Sequence, residues 1–209
     1  MTNLLGHLLL GTALALAGVI PPGLLNMNAA KITMRDGRIR GLVFAIGASL
    51  VVSVQASVGL FFAKFLSRKT DVVLYLERFG LLIFVLLSVY FIVQAFRRPK
   101  MDMNKKRSKR NLFWYGVILS ALNVFPIPFY AFVSVYFASE YWFTFEKPYT
   151  IGFVVGTSLG TFLMLYLYTY FAGRITLTSD KFVKRMNLSI GLITALIAFF
   201  TLYKVLQNL

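Results

Sequence analysis

Six long apolar stretches, separated by short segments rich in lysine and arginine, fix what this chain can fold into. Charged residues and turn signals bound them near Leu4–Ala30, Gly41–Ala63, Arg78–Phe96, Leu112–Ala138, Thr150–Ala172 and Leu188–Leu206. About 20 apolar residues cross a bilayer as a helix, which satisfies every backbone N–H and C=O from within its own segment. The expectation is an all-α, polytopic membrane protein of six transmembrane helices, forming one domain over residues 1–209. Composition agrees. The chain is 58% apolar and 14% charged, with a mean hydropathy of +0.74, and one soluble core could not hide that much apolar surface.

The net charge of +15 would suggest nucleic acid if the cations formed one face. They lie instead in loops, where they face anionic headgroups and set topology. The lipid bilayer is the predicted partner, and nucleic acid is not. The segments Lys31–Arg40, Arg97–Arg110 and Arg174–Arg185 carry 16 basic residues, and the opposite side carries 6. That asymmetry places the first set in the cytoplasm and both termini outside, in a multi-pass protein of the bacterial inner membrane.

The first and fourth stretches are longer than a crossing needs. An unbroken helix of 27 residues would reach ~40 Å, against ~30 Å of hydrocarbon. Both contain prolines, as Pro21-Pro22-Gly23 and Pro126-Ile127-Pro128. Proline removes a donor and clashes with the preceding turn, so each stretch is predicted to break into two half-helices. Freed backbone groups are costly in lipid unless protein or a water-lined cavity accepts them. One such break per half of the chain points to the binding site of a secondary transporter.

The halves also resemble each other. Gly80-Leu81-Leu82 recurs as Gly191-Leu192-Ile193, 111 positions later, and the same offset lays Gly41, Ala45 and Ser49 on Gly152, Gly156 and Gly160. The proline breaks match at an offset near 105. This reads as a first repeat over about 4–96, a basic cytoplasmic loop over 97–110 and a second repeat over about 111–206. Three crossings per repeat invert the second copy, so the two broken helices converge from opposite faces and support alternating access.

Candidate binding residues cluster at the breaks. Pro21, Pro22 and Gly23 open a half-helix whose first N–H groups lack intrahelical partners, a receptor for a carboxylate. Asn26 and Asn28 follow at once. At the second break, Asn123, Pro126 and Pro128 leave carbonyls around Leu122–Val124 without donors, suited to an ammonium group or small cation. Gln55 is an amide deep in the second stretch. The competing reading makes the prolines simple kinks and the amides interhelical bonds. Of Tyr166, Tyr168 and Tyr170, one or two at most face a cavity; Tyr170, Trp114 and Trp142 fit an interfacial aromatic belt. His7 reads as a lone interfacial histidine, and Lys31 as a cation capping the end of the first broken helix.

Cysteine is absent, which excludes disulfides and thiolate metal sites. No phosphate-cradling glycine loop, metal-ligand cluster or nucleophile–base pair lies in the apolar stretches. The chain is therefore read as no enzyme, with no cofactor and no metal site. An ion or metal-ion transporter or channel on the same scaffold, and a noncatalytic membrane scaffold, are the rival readings. Small-residue ridges allow a homo-oligomer.

The run Pro22-Gly23-Leu24-Leu25-Asn26, then Gly37-Arg38-Ile39-Arg40-Gly41 and Gly47, resembles the N-terminal signature of the lysine exporter (LysE/RhtB-type) amino-acid efflux family. The resemblance extends over nearly the whole chain through its length, six stretches and basic central loop. It implies a cytoplasmic-membrane exporter of amino acids or similar small molecules, energised by the membrane gradient. The chain departs from the family's Pro-Gly-Pro-Asn, with Pro21-Pro22-Gly23 ahead of Asn26, and has Asn123-Val124-Phe125-Pro126 where many members have Asn-Pro. No acid lies in the apolar interiors to neutralise a basic side chain, which favours a neutral amino acid as the small-molecule substrate.

Overall fold

The computed structural model describes residues 3–21, 23–67, 72–96, 108–172 and 180–207. The predicted site residue Pro22 and the basic loop over 97–107 lie outside these. The described residues form eight helices and no strand: α1 Leu4–Val19, α2 Leu24–Asp36, α3 Arg38–Leu66, α4 Val72–Phe96, α5 Lys109–Ala121, α6 Pro126–Ser139, α7 Lys147–Tyr170 and α8 Asp180–Gln207. Both long stretches are interrupted. α1 and α2 meet at 78°, and α5 and α6 at 59°. Among the described residues α3 and α7 are long and apolar enough to cross a membrane, and each bent pair qualifies when taken as one crossing. α4 and α8 carry shorter apolar segments, Gly80–Val93 and Thr194–Tyr203.

The most extensive helix pairs run between the two halves of the chain: α1 with α7, α3 with α5, and α4 with α8. Glycine explains the first two. A Cβ on Gly11 of α1 would collide with the Phe153 carbonyl of α7, and one on Gly156 of α7 would collide with the Leu8 carbonyl of α1. In the other pair, a Cβ on Gly116 of α5 would strike the Phe44 carbonyl, and one on Gly47 of α3 the Phe113 carbonyl. Backbones this close gain dispersion contacts that a larger residue forbids. The two crossings are equivalent. Gly11 and Gly116 lie 105 positions apart, and Gly47 and Gly156 lie 109 apart.

The expected alignment of the second helices paired Gly41, Ala45 and Ser49 with Gly152, Gly156 and Gly160, whereas the backbone contacts in these two pairs fall at Gly47 and Gly156. Small residues every four positions offer several registers of near-equal merit. By contact, Gly47 meets the Phe113 carbonyl of its partner helix as Gly156 meets the Leu8 carbonyl of its own. The Gly80–Gly191 match carries no shared packing: Gly80 faces the Phe132 ring, whereas Gly191 faces Ile92 and the Ser88 carbonyl.

Between α2 and α3, Gly37 adopts φ +93°, a conformation costly for any residue with a Cβ. Asp36 beside it receives two hydrogen bonds from Arg35, at 3.0 and 2.6 Å. Those bonds hold the Arg35 guanidinium above even its ordinary pKa. α2 continues to Asp36, so Lys31 stands within the helix and caps nothing; Arg35 occupies the last turn.

His7 also departs from expectation. It is 1% exposed, flanked by Phe143 and Tyr149 with ring centroids 4.8 and 5.0 Å away. Its Nε2 accepts the Thr144 N–H at 3.0 Å, while Nδ1 lies 3.0 Å from the Asn3 carbonyl. Accepting at Nε2 puts the single proton on Nδ1, which donates to Asn3. The histidine therefore pins the 140–146 loop to the start of α1.

Candidate functional site at two helix joints

A helix that stops inside a protein leaves its last carbonyls without partners. At the first joint those of Val19 and Pro21 accept from Asn26 Nδ2, at 2.5 and 2.9 Å. The Ile20 carbonyl accepts from the Tyr168 hydroxyl of α7 at 2.8 Å. Asn26 thus folds back from the first turn of α2 onto the chain that precedes it. Asn28, two residues further, donates to Leu24 O at 2.6 Å and accepts from the Tyr115 hydroxyl of α5 at 3.1 Å. Both asparagines are buried. Gly23 precedes α2 in an extended conformation, and the first α2 amide bonded back to it is that of Met27, at 3.0 Å. The N–H groups of Leu24 and Leu25 therefore begin the helix without intrahelical acceptors, at the positive end of its dipole.

At the second joint the interruption lies at Leu122–Phe125, and the prolines belong to the helix that follows. Pro126 takes the first position of α6, where a missing N–H loses nothing. The prolines still explain the break. Pro126 and Pro128 cannot donate to the carbonyls of residues 122 and 124, so the helix cannot run through. The Ile127 amide turns instead to Val124 O at 3.2 Å, which leaves Asn123 O free. Gln55 of α3 takes it up: its Nε2 donates to Asn123 O at 2.8 Å and to Ser120 O at 3.1 Å. Two carbonyl acceptors fix the amide orientation, because Oε1 in that place would face oxygen on both sides. Of the carbonyls expected to stay bare, that of Asn123 takes its donor from a neighbouring helix and that of Val124 from the Ile127 amide.

What remains is a set of oxygens. Gln55 Oε1, Ser120 Oγ and Asn123 Oδ1 are buried without a hydrogen-bond partner. All three belong to residues joined through the Gln55 amide. Buried acceptors without donors are rare, and they stand out where a site awaits a ligand. The two joints lie near each other. Tyr115 of α5 bonds to Asn28 of α2, and a Cβ on Gly18, at the end of α1, would come 3.7 Å from the Phe129 ring of α6.

A family model describing LysE-type translocators matches residues 16–205. The chain belongs to the LysE-type translocator family. No curated protein and no solved structure matches it. Family and apolar helices together make the translocator an integral membrane protein of a transport family. Of the predicted site residues, the structure brings Pro21, Gly23, Asn26 and Asn28 to the first joint and Gln55, Asn123, Pro126 and Pro128 to the second. Three residues of this translocator's joints escaped the sequence. Ser120 and Tyr115 carry no pattern that marks them, and Tyr168 was one of three tyrosines at alternate positions. Tyr170 at the end of α7, Trp114 within α5 and Trp142 in the loop after α6 are exposed, with the Arg38 guanidinium 4.6 Å above the Tyr170 ring.

Proposed function

We propose that this translocator is a secondary transporter that exports amino acids or similar small zwitterionic metabolites across the inner membrane by alternating access. The reading takes the chain as two inverted repeats of three crossings each, six in all, with both termini outside. Its support is the chemical difference between the joints. One ends in free backbone N–H groups at a helix start, which attract a carboxylate. The other gathers three acceptor oxygens without donors, which suit an ammonium group. A zwitterion complements both, and among the described residues no carboxylate stands at the second joint to neutralise an additional side-chain cation. Neutral amino acids are therefore the preferred cargo. Asn26 serves the carboxylate joint by holding the Val19 and Pro21 carbonyls away from the incoming anion.

The observation that carries the proposal is the unpartnered trio Gln55 Oε1, Ser120 Oγ and Asn123 Oδ1. Hydrogen bonds to a charged group contribute about 1.5–3 kcal/mol, so Asn123→Ala should raise KM for a radiolabelled neutral amino acid about 10- to 150-fold in proteoliposomes. Its melting temperature should stay near that of the parent, because Asn123 Oδ1 has no partner to lose. Wild-type transport by both Asn123→Ala and Ser120→Ala would reject the second joint as an ammonium site. Export of cationic solutes alone would overturn the preference for neutral cargo.

A further inference from the structure

Near the C-terminus of α3, residues of α3 and the start of α7 line a groove of about 280 Å³. Its walls are apolar, from Leu60 and Phe61 on one helix and Ile151 and Val155 on the other, and its rim carries Lys64 and Lys147. Among the described residues no acidic side chain lines it, and Glu146, next in the chain to Lys147, is not part of the lining. Lys64 Nζ donates to the Phe145 carbonyl at 3.2 Å, which sets the ammonium at the groove mouth with two protons to spare. Lys147 opens α7, so the helix dipole adds to its positive charge there.

The same end of the molecule bears Tyr141 and Trp142, 87% and 71% exposed. Exposed tyrosine and tryptophan mark the level of lipid headgroups. On that level both lysines fall at headgroup depth, with the apolar walls of the groove beside them. Phe61, 72% exposed, offers a flat apolar wall to whatever lies alongside.

We propose that this groove binds one anionic phospholipid, with its phosphate between Lys64 and Lys147 and an acyl chain against Phe61 and Ile151. Charge complementarity selects the occupant, since a zwitterionic lipid brings a cation that two ammonium groups repel. The site lies apart from the helix joints and does not depend on the transport reading.

Native mass spectrometry of the full chain with phosphatidylglycerol or phosphatidylcholine tests it. The wild type should retain one phosphatidylglycerol with an apparent affinity about 30-fold above that for phosphatidylcholine, from two lysines near the surface. The double variant Lys64→Gln, Lys147→Gln should lose that preference, and Lys64→Arg, Lys147→Arg should keep it. Ile151→Trp, which fills the groove and leaves both charges, should weaken retention of either lipid. Circular dichroism checks that each variant is folded. Equal retention of the two lipids by the wild type, or undiminished preference in the Gln variant, overturns the proposal. So does displacement of phosphatidylglycerol by an equal concentration of inorganic phosphate, because the site would then hold an anion without its chain.

Discussion

Gln55→Leu is the sharpest test of how the second joint is held open. The substitution keeps an apolar side chain of similar size and deletes the donor that serves Ser120 O and Asn123 O, at 3.1 and 2.8 Å. Hydrogen bonds between helices in membranes contribute about 0.6–1.7 kcal/mol each. Two lost bonds give a destabilisation of about 1–3 kcal/mol, or about 2–12 °C in Tm for a chain of this size. Ser120 O keeps the Asn123 N–H at 3.0 Å, but Asn123 O loses its donor from α3, so the α5–α6 bend of 59° should change as well. The chain has no cysteine, which makes site-directed spin labelling direct. Labels at Trp114→Cys and Tyr136→Cys, both more than half exposed in the parent, report the distance across the joint by pulsed electron resonance. An unchanged melting temperature together with an unchanged distance distribution would refute the assignment of Gln55 as the group that secures this joint.

Gly156→Val should separate α1 from α7 and abolish the folded, monodisperse protein in detergent chromatography, whereas Gly23→Ala should fold normally, since its nearest neighbour is Pro21 O at 3.8 Å. Gly37→Ala forces a Cβ into φ +93° and should cost about 1–3 kcal/mol, read as a lowered thermal midpoint. His7→Phe fills the same ring slot but gives Thr144 no acceptor; about 1–3 kcal/mol of stability should be lost, with faster hydrogen exchange over 140–146.

The broken helices were legible because proline acts locally. The missing N–H of Pro126 and Pro128 stops a helix whatever surrounds it, and span length alone said that two stretches needed a break. The first break appears where it was expected, between Val19 and Leu24, and the second falls just ahead of its prolines, between Ala121 and Pro126. The partners of the freed carbonyls were not legible. Gln55 and Ser120 are 65 residues apart in sequence, and nothing local in either links them. Asn26 was read as a ligand donor because its distance from Pro21 is short, yet its amide is committed to Val19 and Pro21. His7 shows the same limit. Its aromatic slot is built from Phe143 and Tyr149, which only the packing of α1 on α7 brings near.

That packing has a consequence for biosynthesis. α1 presents Gly11 to a helix that begins about 130 residues later, and ribosomes add roughly 5–20 residues per second. The first segment to reach the bilayer must therefore wait roughly 6–26 s for its mate. Meanwhile its narrow glycine seam is open to lipid or to an insertion factor. A nascent chain truncated before Lys147 would leave that seam unmatched, and should be cleared by quality control as an orphan.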